Sequence, residues 1–302
     1  MNALTGYLRI LRFMAAAGVS TLARTDDSLP YRQTQDVVYG EVHGTGLLMD
    51  VFTPLQHTNG AGIVDVVSGA WSSDRNKIRD HTVARIYHIL CGRGYTVFAV
   101  RPGSKSRYTL AEMDQNLKTG IRFIKEQASE RGIDPARLGM TGASAGGHLA
   151  TLAALTPEPG KPEAKSPAQR HDTRVKAISV FFPPTDLVEW DSGKPADPKM
   201  VLPLLYLGGG TQRSPDEITA MAKSVSPVYR VTRPELPFLI FHGDADTTVP
   251  LSHSQKLVAA IQKAGGSAEL VIKPGGGHPW LTLPEEIRKM ADWFDQQLPP
   301  PR

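Results

Sequence analysis

The sequence predicts an α/β protein with a mostly parallel central sheet and helices on both faces, and three observations carry this. Apolar runs at residues 63–67, 96–100, 175–181 and 238–241 read as strands buried on both sides. Segments of helical periodicity, over residues 74–90 and 110–128, alternate with them. A composition of 40% hydrophobic and 21% charged residues supports a buried core and excludes wholesale disorder.

Taken in order, residues 36–40 and 47–52 read as a two-stranded hairpin around Gly44 and Gly46. The strand at 63–67 precedes the helix at 74–90, and the strand at 96–100 precedes the helix at 110–128. A short strand over 138–141 then meets a helix beginning near Ala145. Strands follow at 175–181, 238–241 and 268–272, before a last helix through Ile287, Met290 and Trp293. Two stretches interrupt the alternation. Residues 156–174 are rich in Pro, Lys and Glu, and residues 183–233 carry Pro203, Gly208, Gly209, Gly210 and Pro215. The second is too long for a plain connection and reads as a lid-like, pocket-forming insertion. Residues 36–297 thus form the predicted domain, with a leader over 1–35.

The leader admits two readings. Arg9 and Arg12 precede an apolar run from Phe13 to Val19 and small residues up to Ala23, the order of a secretory signal, which implies a secreted or periplasmic protein. Alternatively, Leu4, Tyr7, Leu8 and Leu11 form one face of an amphipathic helix packed on the body of a cytoplasmic protein. No apolar stretch reaches the roughly 18 residues of a membrane span. The net charge of +4 comes from 34 basic and 30 acidic side chains without a dense basic run, which argues against nucleic-acid binding. Cys91 is the single cysteine, so no intrachain disulfide forms, and its place at a helix end suits packing better than nucleophilic chemistry. No Cys/His cluster suggests a metal.

The chemistry centres on Gly142-Ala143-Ser144-Ala145-Gly146, a GxSxG pentapeptide between a strand and a helix. Small neighbours allow the sharp turn that exposes a serine hydroxyl, and the helix entering at Ala145 points unpaired amides at the reaction centre. A serine hydroxyl needs a base oriented by a third group. Asp244 and Asp246 lie just past the strand 238–241, where catalytic groups of such sheets collect. Asp246 is the candidate acid, because Asp244 suits a turn-stabilising role. Pro274-Gly275-Gly276-Gly277-His278 follows the last strand and can deliver His278 as the base, in the chain order serine, acid, histidine. His148 and His242 read as hydrogen-bonded structural histidines, and Arg101 as a member of a buried ion pair.

Gly142 to Ala150, with Gly147-His148-Leu149 after the pentapeptide, resembles the nucleophile elbow of the carboxylesterase and feruloyl/acetyl-esterase branch of the α/β hydrolases. Gly132-Ile133-Asp134-Pro135, Phe182-Pro183-Pro184-Thr185-Asp186-Leu187, Ser226-Pro227 and the segment from His242 to Pro250 are similar to further segments of that branch. The last of these favours Asp246 as the acid. The resemblance runs from about Asp36 to Phe294 and implies an α/β-hydrolase fold and ester hydrolysis through an acyl-enzyme without a cofactor. One departure stands out. Where the branch carries His-Gly-Gly-Gly-Trp after its third strand, this chain has Val67-Ser68-Gly69-Ala70-Trp71. That loop supplies oxyanion donors through backbone amides, so the function can survive the changes, although Ser and Ala tolerate positive φ poorly.

The expected site is therefore Ser144, Asp246 and His278, with the amides of Ala145 and of Trp71 or Ala70 as oxyanion hole. Trp71 is either a substrate-binding or a core aromatic. The expected activity is a serine esterase acting on short-chain or aromatic, acetyl- or feruloyl-type, esters. The alternatives are a small peptidase similar to the prolyl-oligopeptidase group and a non-catalytic binding protein of the same fold.

Overall fold

In the computed structural model, which describes residues 29–209 and 212–300, hydrophobic strands of five or six residues build the centre. In β3 (Gly62–Val66), all five residues are buried. Alternate residues serve the two faces: Val64 and Val66 join one hydrophobic cluster, Ile63 the other. β4 (Thr96–Arg101) divides likewise, with Phe98 and Val100 on the first side and Val97 and Ala99 on the second.

Eight strands form one sheet in the order β1-β2-β4-β3-β5-β6-β9-β10. β1 (Tyr31–Val42) and β2 (Thr45–Pro54) form an antiparallel hairpin, and β2 runs antiparallel to β4. All remaining pairings, through β5 (Leu138–Ala143), β6 (Ala177–Phe181), β9 (Phe238–Gly243) and β10 (Ala268–Lys273), are parallel. His43 and Gly44 make the hairpin turn at φ 52° and 67°. Of the leader, residues 1–28 lie outside the described residues, while residues 31–35 belong to β1, so the domain begins earlier than residue 36.

Helices cover both faces. The first cluster gathers α3 (Leu110–Glu126), α4 (Ala145–Leu155) and α7 (Ser252–Lys263). The second gathers α1 (Arg75–Val83), α2 (Ile86–Gly92) and α8 (Leu283–Gln297). α3 starts on a capping box between Thr109 and Glu112. One expectation changes here. The helix anticipated over 74–90 is broken at Arg85, at φ 65°. The break lets His81 of α1 and Tyr87 of α2 meet one buried carboxylate, Asp65 of β3, at 2.8 and 2.9 Å. Burying Asp65 without these partners would be costly, so the polar cluster dictates the kink.

The segment 183–233 contains a small hairpin, β7 (Glu189–Asp191) with β8 (Lys194–Pro195), and two helices, α5 (Pro198–Leu205) and α6 (Pro215–Ser224). Leu187, Val201, Leu204, Leu205, Ala222 and Val225 are buried in the same cluster as α3 and α4, so the segment shares the main core. Arg101 and Arg75 pair with Asp36 and Asp50, the latter fully buried, and bind the hairpin to β4 and α1. None of the described helices is long and apolar enough to cross a membrane.

Burial works against protonation of His81, but the Asp65 carboxylate outweighs it through charge and a hydrogen bond, and the pKa rises above the ordinary histidine value. A raised folded-state pKa gives stability that is full below the unfolded value and is lost as pH rises through the folded one. Thermal melts are therefore expected to show the pair's contribution at pH 5–6 and its loss on the alkaline side. His81→Ala, which leaves Asp65 buried without its charge partner, should remove this slope and cost about 3 kcal/mol.

Candidate active site

Ser144 stands at the carboxyl end of β5, where the chain turns into α4. Its backbone has φ 53° and ψ −122°, a sparsely populated combination costing about 1–3 kcal/mol. Three contacts hold it there. The Ser144 amide donates to Phe181 O at 2.9 Å, the His148 amide to Ser144 O at 2.9 Å, and the Gly146 amide to Ser68 O at 3.0 Å. Every residue of α4 is buried, as its small, apolar sequence permits. Close approach explains the glycines: a Cβ at Gly142 would press on the Gly146 backbone, and one at Gly146 would collide with Val66 O. Gly146→Ala is accordingly expected to destabilise the fold by about 1–3 kcal/mol and to lower kcat at least tenfold, read by thermal melting and ester hydrolysis.

β9 ends at Gly243 and β10 at Lys273, so the next two loops open at the same sheet edge as Ser144. Asp244 Oδ1 accepts from the Gly275 amide at 2.6 Å and so joins these loops. Asp246 is 8% exposed, and its Oδ1 accepts from the amides of Thr248 and Val249 at 2.8 and 2.9 Å. Its Oδ2 lies 2.6 Å from His278 Nδ1, while His278 Nε2 lies 2.9 Å from Ser144 Oγ. A carboxylate only accepts, so Nδ1 carries the proton and Nε2 faces the serine hydroxyl as an acceptor.

Burial opposes the Asp246 charge. Hydrogen bonds from His242 and His278, the charge of His278 and the Val249 amide outweigh burial and hold the carboxyl well below the usual carboxylate range. His242 is wholly buried between Val249 O, at 2.9 Å from Nε2, and Ser254 Oγ, at 2.6 Å from Nδ1. Its Nε2 is 3.5 Å from Asp246 Oδ2.

The loop after β3 turns through Ala70 and Trp71, both at positive φ, 49° and 55°. Gly69 and Ser72 exchange both backbone bonds at 3.0 Å, closing a two-residue turn of mirror-image type. Glycine would suit these positions; Ala and Trp are held there at roughly 1–2 kcal/mol each. The Trp71 carbonyl accepts from the Lys105 amide at 2.8 Å. Among the described residues the amides of Ala70, Trp71 and Ala145 donate to no protein acceptor. The Trp71 side chain turns inward: it is 6% exposed and its Nε1 donates to His148 Nδ1 at 3.1 Å. What the residue offers a substrate is thus chiefly its backbone.

Phe182 had no signal in the sequence as a neighbour of the site. It sits at φ 38°, with its ring edge-on to His278 at 4.3 Å and to Trp280 at 5.6 Å. Trp280 is fixed in turn by a 2.8 Å bond to Glu286. The aromatic wall limits the His278 ring to few orientations.

Comparisons with known proteins agree with this architecture. The probable carboxylic ester hydrolase LipM of Mycobacterium tuberculosis (strain ATCC 25618 / H37Rv) is 28% identical over 236 residues, covering 77% of this chain and 52% of LipM. Esterase LipQ of the same organism is 25% identical over 260 residues, covering 85% of this chain and 59% of LipQ. The chain thus spans about half the length of the curated relatives it matches. A truncated carbohydrate esterase from gut microbiota superposes with a TM-score of 0.74 at 24% identity, over 89% of this chain and 97% of that one. The BD-FAE family model matches residues 49–261. With this match over most of the chain and a superposition of this quality on a mostly parallel sheet covered on both faces, the chain has the α/β-hydrolase fold and belongs to the BD-FAE family.

Proposed function

We propose that the protein is a serine carboxylic-ester hydrolase acting through an acyl-enzyme on short-chain or aromatic esters of the acetyl or feruloyl type. One observation carries the reading: the unbroken relay of Ser144 Oγ, His278 and Asp246, with spacings of 2.9 and 2.6 Å. His278 Nε2 takes the Ser144 proton as Oγ attacks the ester carbonyl, and Asp246 stabilises the imidazolium. The oxyanion lies against the amides of Ala145 and of the Ala70–Trp71 turn. His278 returns the proton to the departing alkoxide, then takes one from water, whose attack releases the acid and restores Ser144. The names of LipM, LipQ and the carbohydrate esterase support this class of reaction.

The test is a hydrolysis panel of p-nitrophenyl acetate and butyrate, methyl ferulate and a Pro-p-nitroanilide, with fluorophosphonate labelling of wild type and Ser144→Ala. Ester turnover with labelling confined to wild type is expected. Turnover of the anilide alone would move the reading to a peptidase, and absence of both turnover and labelling would move it to a binding protein.

A further inference from the structure

The oxyanion turn poses a physical problem. Two non-glycine residues, Ala70 and Trp71, sit at positive φ, so the turn persists only if its surroundings hold it. The Gly69–Ser72 bonds close the turn on itself but do not fix where it stands relative to Ser144. The Lys105 amide ties the Trp71 carbonyl to the segment after β4, and bonds to the element that carries the nucleophile tie the turn to Ser144. Two such bonds exist: the Gly146 amide to Ser68 O, and the Trp71 indole to His148.

We propose that His148 is a positioning residue for the oxyanion hole, its imidazole holding Trp71 at a fixed distance from Ala145 and fastening both to the insertion at Val225. The geometry is specific. His148 is wholly buried in the first turn of α4, three residues after Ala145. Nδ1 lies 3.1 Å from Trp71 Nε1 and Nε2 lies 2.8 Å from Val225 O. An indole nitrogen only donates and a carbonyl only accepts, so Nδ1 must accept and Nε2 must donate. One tautomer of the neutral ring meets both demands, and a protonated ring would face the indole N–H with a second donor. Burial pushes the His148 pKa down to about 4, which keeps the neutral form. The indole ring meets the imidazole edge-on at 5.7 Å, so packing reinforces the bond. Val225 caps α6, which makes the carboxyl end of that helix the third anchor.

This inference rests on the hydrolase reading and adds that donors in the hole owe their alignment to an imidazole that never touches substrate. Misplacing a reacting group by about 1 Å costs up to ~100-fold in rate. Trp71→Phe and His148→Leu are each expected to lower kcat for p-nitrophenyl acetate ~10–100-fold with KM within about twofold. Because both variants break the same Trp71–His148 bond, the double variant should be no slower than the slower single one. Phenylboronic acid is a second readout: boron accepts Ser144 Oγ, the serine proton passes to His278, and a tetrahedral anion forms whose oxygen occupies the hole. Its inhibition constant should weaken by the same factor as kcat. In His148→Asn, Oδ1 stands close to where Nδ1 stood, so this variant should recover most of the kcat lost in His148→Leu. Both His148 variants lose the bond to Val225 and should lower Tm, His148→Leu further because it also leaves the buried Trp71 indole N–H unpaired.

Wild-type kcat in Trp71→Phe, multiplicative losses in the double variant, or a His148→Asn protein as slow as His148→Leu would overturn the proposal. Wild type and Ser144→Ala are measured alongside. A wild type that neither turns over esters nor binds the boronate overturns the hydrolase reading as well, whereas an active wild type with an undiminished Trp71→Phe overturns the positioning role alone.

Discussion

Replacing Ser144 by alanine is expected to lower kcat for p-nitrophenyl acetate by roughly 10⁴–10⁶-fold while leaving the fold in place. In the proposed mechanism the hydroxyl is the nucleophile, and among the described residues the partner of His278 Nε2 is Ser144 Oγ at 2.9 Å. The fold should persist because the three bonds that hold this turn come from backbone groups of Ser144, Gly146 and His148. Alanine keeps the Cβ and the same strained φ of 53°, so the elbow geometry is retained. Stopped assays at high enzyme concentration, together with circular dichroism and a thermal melt, check both halves. A folded Ser144→Ala protein with even a hundredth of wild-type turnover would remove Ser144 from the mechanism.

Asp246→Asn is expected to cost about 10⁴-fold in kcat, a large effect for the exchange of one oxygen for an NH₂. The reason lies in where each carboxylate oxygen points. Oδ1 accepts from the Thr248 and Val249 amides, so the amide oxygen of asparagine must take that place. Its NH₂ then faces His278 Nδ1, which has to accept rather than donate. The imidazole proton moves to Nε2, and the ring presents a donor to Ser144 where it needs an acceptor. The same NH₂ also confronts His242 Nε2, 3.5 Å from Oδ2, which already donates to Val249 O. Kinetics on Asp246→Asn should show the loss in kcat with KM little changed and a Tm near that of wild type, because the loop bonds to Oδ1 survive. Activity within tenfold of wild type would assign the acid role elsewhere, with Asp244 as the first residue to examine.

The centre of the sheet was legible because its inner strands are buried on both faces and so read as near-continuous apolar runs, as in β9 and, apart from Asp65, in β3. The helices of the segment 183–233 were less so, although their signals are present: Asp197 caps α5 ahead of Pro198, and Ser214 with Glu217 forms a capping box ahead of α6. These helices are short, and Pro203 inside α5 and the nearby glycines mask the periodicity. α7 has no side-chain cap and went unread between the two strands it connects. The division of one predicted helix at Arg85 had no local signal at all. It follows from the demand of a buried aspartate sixteen residues before His81 in the chain.

Among the site residues, Ser144 and His278 could be named from chain order and neighbouring glycines. Asp246 could be preferred to Asp244 because one aspartate was needed for the turn, and the structure does place Asp244 on the Gly275 amide. The oxyanion loop was legible only as a departure. Its glycine-poor sequence marked a strained turn, but not the manner in which the strain is held.

The sequence by itself determined the periodicities that choose strand or helix, the small residues that let the chain turn at Ser144, and the order in which three functional side chains arrive. These are local properties, set by neighbours within a few positions. Only the tertiary structure decided that His278 meets Ser144 across 134 positions of sequence, and that Trp71 meets His148 across 77. Such pairings depend on strand order and on side-chain directions fixed by packing, while the strain at Ser144 is held by backbone bonds to Phe181, His148 and Ser68, and that at Ala70 and Trp71 by the Gly69–Ser72 bonds and the neighbours of Trp71.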